Sequence, residues 1–447
     1  MEILKRHFLV RGTSLRAELT RHAGGTFLLK VLGLFFQLVS GVVLARILGA
    51  EGYGIYAYPM AIVGLLSIPT VMGLPNLIVR SVAQYHANGQ FALMKGLLRR
   101  AHQFVFSLSL LFAALALLFF FTFDHSKLSS SGSAAFLWAL LLLPITALKQ
   151  VRIAALRGLR KVLLGQIPEV VVRPILFLSF LGVTFAFSKK SFSPQYVMLL
   201  QIFANLGSFG YGTWLYMHAL PTEMKTCFAK NDTKTWVKEA LPFMFLGLAQ
   251  LINQQTDILM LGIMRPMADV GVYKAVVQGS TLVTFVLASV NMAQGPQIAR
   301  LWTLGDMERL QRMITISTRI IAVATLLIAS ILCLWGKFFL SLLFGAEFAV
   351  GITALRILCM GQIVNGFAGS VGSILNMTGF AHKSLQAVLV SAVLNIFLNI
   401  LLVPPYGIQG AAVATAVSLS AWNIFLVYWV KKYTKLHSTV FGALRFL

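Results

Sequence analysis

Acidic side chains are scarce in this sequence: Asp and Glu number 13 among 447 residues, and between residues 25 and 122 the single acid is Glu51. Cysteine is nearly absent as well. Cys227, Cys333 and Cys359 are too few and too scattered for a disulfide framework or a thiolate metal site, and they read as unpaired thiols. Histidines 86, 102, 125, 218, 382 and 437 offer no pair at metal-ligand spacing on one helix face, so no metal and no cofactor is expected. Nowhere do apolar and polar residues alternate over the lengths that a transmembrane barrel needs. Segments between apolar runs rarely exceed about 25 residues, which leaves no room for an appended soluble domain.

What the chain has in quantity is apolar length. Hydrophobic residues make up 58% and charged residues 11%, and the mean hydropathy is +0.82. Roughly 20 consecutive apolar residues suffice for a helix to cross the hydrocarbon layer. Such runs fall at 27–48, 55–76, 102–123, 134–154, 164–187, 195–218, 240–263, 270–292, 315–335, 353–376, 384–403 and 408–430. They are numbered spans 1 to 12 below. The expectation is an all-α integral membrane protein with twelve transmembrane helices.

A net charge of +24 could point to nucleic acid, but the basic residues are sorted by side. With the twelve spans in place, 28 Lys and Arg fall on the side of the N-terminus and 7 on the other, with Lys30 and Arg356 inside spans. By the positive-inside rule both termini are expected in the cytoplasm. The charge then marks orientation and contact with anionic membrane lipids, and no nucleic-acid partner is expected. Residues 1–26 are polar and basic, which does not resemble a cleavable signal peptide.

One phrase occurs twice. "LGAEGYGIYAY" at 48–58 returns as "MRPMADVGVYKA" at 264–275, each following an apolar run and opening the next. Around it, "LGL" at 32–34 matches 246–248, and "LPNLIVR" at 74–80 matches "GPQIAR" at 295–300. An offset of six spans preserves orientation, so the halves are expected as parallel repeats about an axis along the membrane normal. The alternative is that Gly and Tyr recur through turn chemistry and interfacial anchoring. The expected division is a lobe at 1–220, a cytoplasmic linker at 221–239 and a second lobe at 240–447.

Four stretches carry a family resemblance: "VVLARILGAEGYGIYAY" at 42–58, "ALRGLRKVLLGQIPEVVVRP" at 155–174, "TDILMLGIMRPMADVGVYKA" at 256–275, and "LNMTGFAHKSLQAVLVSAVLNIFLNILLVPPYGIQGAAVATAVS" at 375–418. In this order, with twelve spans, the chain resembles the polysaccharide-biosynthesis flippases of the multidrug/oligosaccharidyl-lipid/polysaccharide transporter superfamily. That resemblance implies a MATE-like, V-shaped pair of six-helix lobes in the bacterial cytoplasmic membrane. It also implies alternating-access transport of a lipid-linked glycan on a polyprenyl-phosphate carrier, with a polysaccharide polymerase or glycosyltransferase as partner. A cation-coupled multidrug exporter of the same superfamily is the runner-up, disfavoured by the lack of acids in spans 1 to 3. A membrane glycan polymerase or ligase would want larger external loops.

Charge inside a membrane is costly and faces protein or water, so each intramembrane polar residue is a candidate. Glu169 and Arg173 lie one turn apart in span 5 between Pro168 and Pro174, where the helix is expected to kink. Arg173 could meet a substrate phosphate with Glu169 holding it, or the two could form an anchoring i,i+4 pair. In span 7, Gln250, Asn253, Gln254 and Asp257 recur at helical spacing. They could line a sugar path, with Asp257 coupling transport to H+ or Na+, or they could bond neighbouring helices. Amides at Gln278, Asn291, Gln294, Gln362, Asn365, Asn376, Asn395 and Asn399 enrich the second half. Lys30, Arg80 and Arg356 are further candidates for substrate binding, with interfacial anchoring as the alternative for Arg80.

Overall fold

A helix of 48 residues, Gly24–Val71, and one of 54, Ala381–Thr434, are each too long to cross a membrane once. At about 1.5 Å per residue they measure roughly 70–80 Å against a hydrocarbon thickness of about 30 Å. Each is interrupted at a single glycine in the left-handed region, Gly49 (φ 69°) and Gly407 (φ 54°), so that each is two spans joined at a kink. Other side chains adopt that conformation only at a cost. The loop expected at 49–54 is therefore a one-residue break in a continuous helix.

The computed structural model describes residues 15–122, 130–187 and 192–442. Among them there is no strand, and eight helices are long and apolar enough to cross a membrane, the two kinked ones included. Pro194–Ala219 and Thr233–Met264 are also helical and carry spans 6 and 7. All twelve expected spans thus fall on helix. A bilayer offers backbone groups no water, and apolar helices that bond internally are the result. Their outer faces remain apolar, as at Leu118, Phe121 and Leu334. Two boundaries differ from expectation. Span 10 ends at Ala368, where Gly369 (φ 76°) separates it from a short helix Val371–Met377. The 221–239 linker contains a turn of helix, Glu223–Thr226, and span 7 begins within it at Thr233.

The repeated phrase lies where the halves meet. A Cβ on Gly54 would stand 1.8 Å from the carbonyl oxygen of Met267, and one on Gly271 would stand 1.9 Å from that of Ala50. The contact is reciprocal, each glycine meeting the carbonyl four residues before the other. A two-fold relation between the halves generates this pattern. The crossing is reinforced by side chains. Arg46 Nε donates to Leu343 O at 3.0 Å and its Nη2 reaches Ser341 O at 3.3 Å and also Leu342 O. Those carbonyls belong to a π-helical turn, Leu340–Phe344. The Ala50 amide donates to Glu347 Oε1 at 3.0 Å.

From this end the halves run side by side. Span 1 meets span 8, with Gly41 against Gln278 and Phe27 against Phe285. Span 2 meets span 7, with Tyr58 over Gly262 and Ile68 beside Gly247. One apolar core, including Tyr53, Val63, Tyr273 and Phe348, is shared by both halves near the crossing. Toward the basic end it divides. One cluster there is built on Leu77, Val82 and Leu97, and another on Ile298, Ile314 and Ile374.

Placing Cβ atoms at the crossing should force the two helix turns apart. Gly54→Ala and Gly271→Ala are each expected to cost about 1–3 kcal/mol or more and to lower the Tm of detergent-solubilised protein. Because both disrupt one contact, the double variant should lose less than the sum. Gly182→Ala, inside a helix and with nothing within 4 Å, should not lower Tm and should raise it slightly, since alanine favours helix over glycine.

Candidate functional site

The polar interior is organised around span 5. Between Pro168 and Pro174 the helix widens into a π-helical turn, Pro168–Val172. Proline removes a backbone donor, which loosens the helix locally. Ser208 of span 6 donates to the Pro168 carbonyl at 2.6 Å and so satisfies it. This turn presents Glu169 to three cations. Lys149 Nζ is 2.8 Å from its carboxylate, Arg152 Nη2 is 3.6 Å away and Arg173 Nε is 3.7 Å away. The expected Glu169–Arg173 pair is present, but Glu169 lies closest to Lys149.

The three cations differ in freedom. Arg152 is 2% exposed, donates to Phe209 O at 2.8 Å and lies over the Phe209 ring. Arg173 is 34% exposed, the most open of the three. Arg173 and Glu169 border a cavity of about 540 Å³ between the halves. Spans 1 and 2 contribute Gln37, Tyr53 and Tyr56, span 6 contributes Gln201, and Gln255, Lys274 and Gln278 enter from spans 7 and 8. Gln278 bridges the halves, donating to Gln37 O and accepting from Tyr53 Oη at 3.3 Å. The cavity therefore has cations and amides on both walls.

Lys274 needs a correction. Counting charges by side puts it outside the membrane, yet it lines this cavity. Lys30 is exposed on span 1, one turn nearer the basic end than Gly33 of the cavity wall. Arg80 is exposed at the basic end and paired with Glu239. Arg356 is exposed and donates to Cys333 O at 3.0 Å.

The polar stripe of span 7 faces elsewhere. Asn253 donates to Val388 O at 3.2 Å, Gln254 is exposed, and the side chain of Gln250 lies outside those described. Asp257 is buried among donors from three other spans: Tyr273 Oη at 2.5 Å, Asn399 Nδ2 at 2.9 Å, Asn395 Nδ2 at 3.4 Å, and Thr415 Oγ1. It is Gln255, adjacent to Gln254 of the stripe, that reaches the cavity. Sequence reasoning passed over Lys149, Arg152, Gln255, Tyr273 and Thr415. Only the i,i+4 pair Asn395 and Asn399 signalled a buried polar centre, and those two were in view. Among the described residues no group of His, Cys, Asp or Glu is placed to hold a metal ion.

Comparison with known proteins fits this geometry. The family described as "Polysaccharide biosynthesis protein" matches residues 19–302. The chain belongs to that family. A second family, MatE, matches residues 242–401. The "Probable low-salt glycan biosynthesis flippase Agl15" of Haloferax volcanii is 20% identical over 422 residues, covering 94% of this chain and 85% of the relative. Among solved structures, "Lipid II flippase MurJ, inward closed conformation" superposes with a TM-score of 0.72 at 14% identity, covering 92% of this chain and 87% of that one. An inward-facing MATE-family multidrug transporter superposes with a TM-score of 0.71 at 13% identity, covering 90% and 94%. The fold is the all-α fold of these membrane transporters, and the chain is a multi-pass membrane protein.

Glu169 is the common counter-ion of the cluster, so its removal should harm folding more than removal of any one cation. Glu169→Gln leaves Arg152 buried without compensation, a loss of about 3–5 kcal/mol. The yield of membrane-inserted, monodisperse protein should fall well below that of Arg173→Ala. Equal yields would mean that Glu169 is not what neutralises the cluster.

Proposed function

We propose that this protein moves a lipid-linked glycan precursor, carried on a polyprenyl phosphate or diphosphate, across the cytoplasmic membrane for cell-surface polysaccharide assembly. The observation that carries this reading is the charge of the cavity region. Lys149, Arg152, Arg173 and Lys274 stand against a single carboxylate, Glu169. In a low-dielectric interior such a surplus attracts an anion and repels a cation. A phosphate meets it through charge-assisted bonds, for which guanidinium has the better geometry. Gln37, Gln201, Gln255 and Gln278 can bond sugar hydroxyls. The printed name of the Haloferax relative supports the same class of cargo. A cationic-drug exporter, the runner-up, would have to load its substrate against this field.

The two lobes, 1–220 and 240–447, are proposed to rock about the Gly54–Gly271 crossing. Both termini are proposed to lie in the cytoplasm, with the divided basic end facing inward. A polymerase or glycosyltransferase working on the same glycan is the expected partner.

Asp257 is proposed as the coupling centre. Asn395 and Asn399 turn their amide nitrogens toward its carboxylate, so the oxygens brought together here are those of Asp257 and Thr415 Oγ1. That set suits H+ or Na+. A cation bound there would supply the counter-charge that the neutral donors around Asp257 do not, while Tyr273 and Thr415 hold the carboxylate in place.

Proteoliposomes containing a fluorescent lipid-linked glycan provide the test. Arg173→Ala should slow flipping per folded molecule about tenfold or more, since a charge-assisted bond contributes about 1.5–3 kcal/mol. Arg173→Lys should retain part of the rate, and Lys274→Gln should fall between. Normal flipping by Arg173→Ala, or accumulation of a cationic dye in preference to the glycan, would overturn the reading. Separately, Asp257→Asn should reduce flipping under an imposed ion gradient and converge with wild type when the gradient is collapsed. Wild-type rates under the full gradient would remove Asp257 from coupling.

A further inference from the structure

A second cavity, of about 280 Å³, lies away from the first, at the basic end between the start of span 3 and the start of span 7. Its walls are largely apolar, with Leu74, Leu97 and Phe104 from the first half and Trp236, Val237 and Ala240 from span 7. Arg100 stands at its rim with Gln103. Arg100 is exposed and has no carboxylate within ion-pairing distance among the described residues. Glu239, on the same turn of span 7, is already engaged by Arg80.

The surface beyond the rim gives this cavity a direction. Arg100, Phe104, Ser107, Leu111 and Leu118 recur along one face of the helix Phe91–Thr122. Along it Phe104 is 38%, Leu111 52% and Leu118 61% exposed. A cation at the basic end is thus followed by an apolar track pointing toward the membrane centre. From Arg100 to Leu111 the helix rises about 16 Å, close to the depth of one leaflet. Head charge, tail path and length match one amphiphile standing in the basic-side leaflet.

We infer that this cavity binds an anionic phospholipid, its phosphate on Arg100 and one acyl chain entering beside Trp236 and continuing along span 3. The walls come from both halves, so a bound lipid holds the start of span 7 against the first half. The site reads the composition of the membrane independently of any cargo. Zwitterionic lipids have the same tails but no net charge for Arg100 to meet, and they bind more weakly. This inference does not rest on the identity of the transported substrate.

Trp236 makes the site observable. It is 3% exposed and donates to Tyr85 Oη at 3.1 Å, so bulk lipid has little contact with it. The protein is reconstituted into phosphatidylcholine vesicles in which a fixed fraction of lipid carries brominated acyl chains, either as phosphatidylglycerol or as phosphatidylcholine. The Trp236 contribution is the quenching seen in wild type minus that in Trp236→Phe. Brominated phosphatidylglycerol should quench this component at least twice as strongly as brominated phosphatidylcholine. Arg100→Gln should make the two equal, and Ser107→Phe, which fills the mouth, should weaken both. Equal quenching in wild type would overturn the inference. So would loss of the difference on adding a few mole per cent of polyprenyl phosphate, when unbrominated phosphatidylglycerol at the same fraction leaves it intact, because the site would then belong to the cargo lipid. Should Trp236→Phe fail to fold, thermal stability decides. Phosphatidylglycerol should raise the Tm of wild type but not of Arg100→Gln, and equal gains in both would overturn the inference.

Discussion

Two helix turns that touch backbone to backbone set how the two halves of this membrane protein meet. Gly54 and Gly271 leave no room for a methyl group between one half and the other, and a second close approach, of Gly73 to the Ala240 carbonyl, joins the halves at the basic end. Close approach maximises dispersion between main chains, which matters in a bilayer because lipid removes most of the hydrophobic gain of helix association. The apolar core is common to both halves near the crossing and divided farther away. Such a structure can hinge without dismantling either half.

The interior polarity follows a different economy in each half. In the first half the cations outnumber the one acid, and the surplus is open to the cavity through Arg173. In the second half the one acid, Asp257, is sealed among neutral donors. Neither arrangement is the cheapest way to fill a membrane core, where ionised groups are expensive. Opposite charge in the two places separates an anion-attracting compartment from a cation-attracting one within a single chain.

Much of this was legible in the sequence, and the reasons for the remainder are specific. Hydrophobic run length located all twelve spans because crossing a bilayer requires it. The two G-x-Y phrases were legible as matching turns of two repeats; that they pack on each other was not, and a left-handed glycine replaces the expected loop at 49–54. Prolines 168 and 174 predicted an irregular helix, which the π-helical turn supplies. Lys149, Arg152 and Lys274 were hidden because charge counting assigns residues to a side and carries no information on depth. A residue at a span boundary can point inward, as Lys274 does. Of the span 7 stripe, Asn253 and Asp257 turn to one side while Gln254 is exposed, and periodicity does not say which neighbour a face meets. Here it meets spans 11 and 12, and the cavity is served by Gln255.

Span 7 belongs to the second half by sequence, yet its first turns are buried in the first half's core through Trp236 and Ala240. Farther along the same continuous helix, Thr233–Met264, Asp257 is gripped by Asn395, Asn399 and Thr415. One helix therefore has its first turns set among first-half side chains and its later turns held by spans 11 and 12. The grip at Asp257 and the anchor at Trp236 are thus carried by a single helix, roughly 30 Å apart at about 1.5 Å per residue, and Gln255 between them borders the cavity.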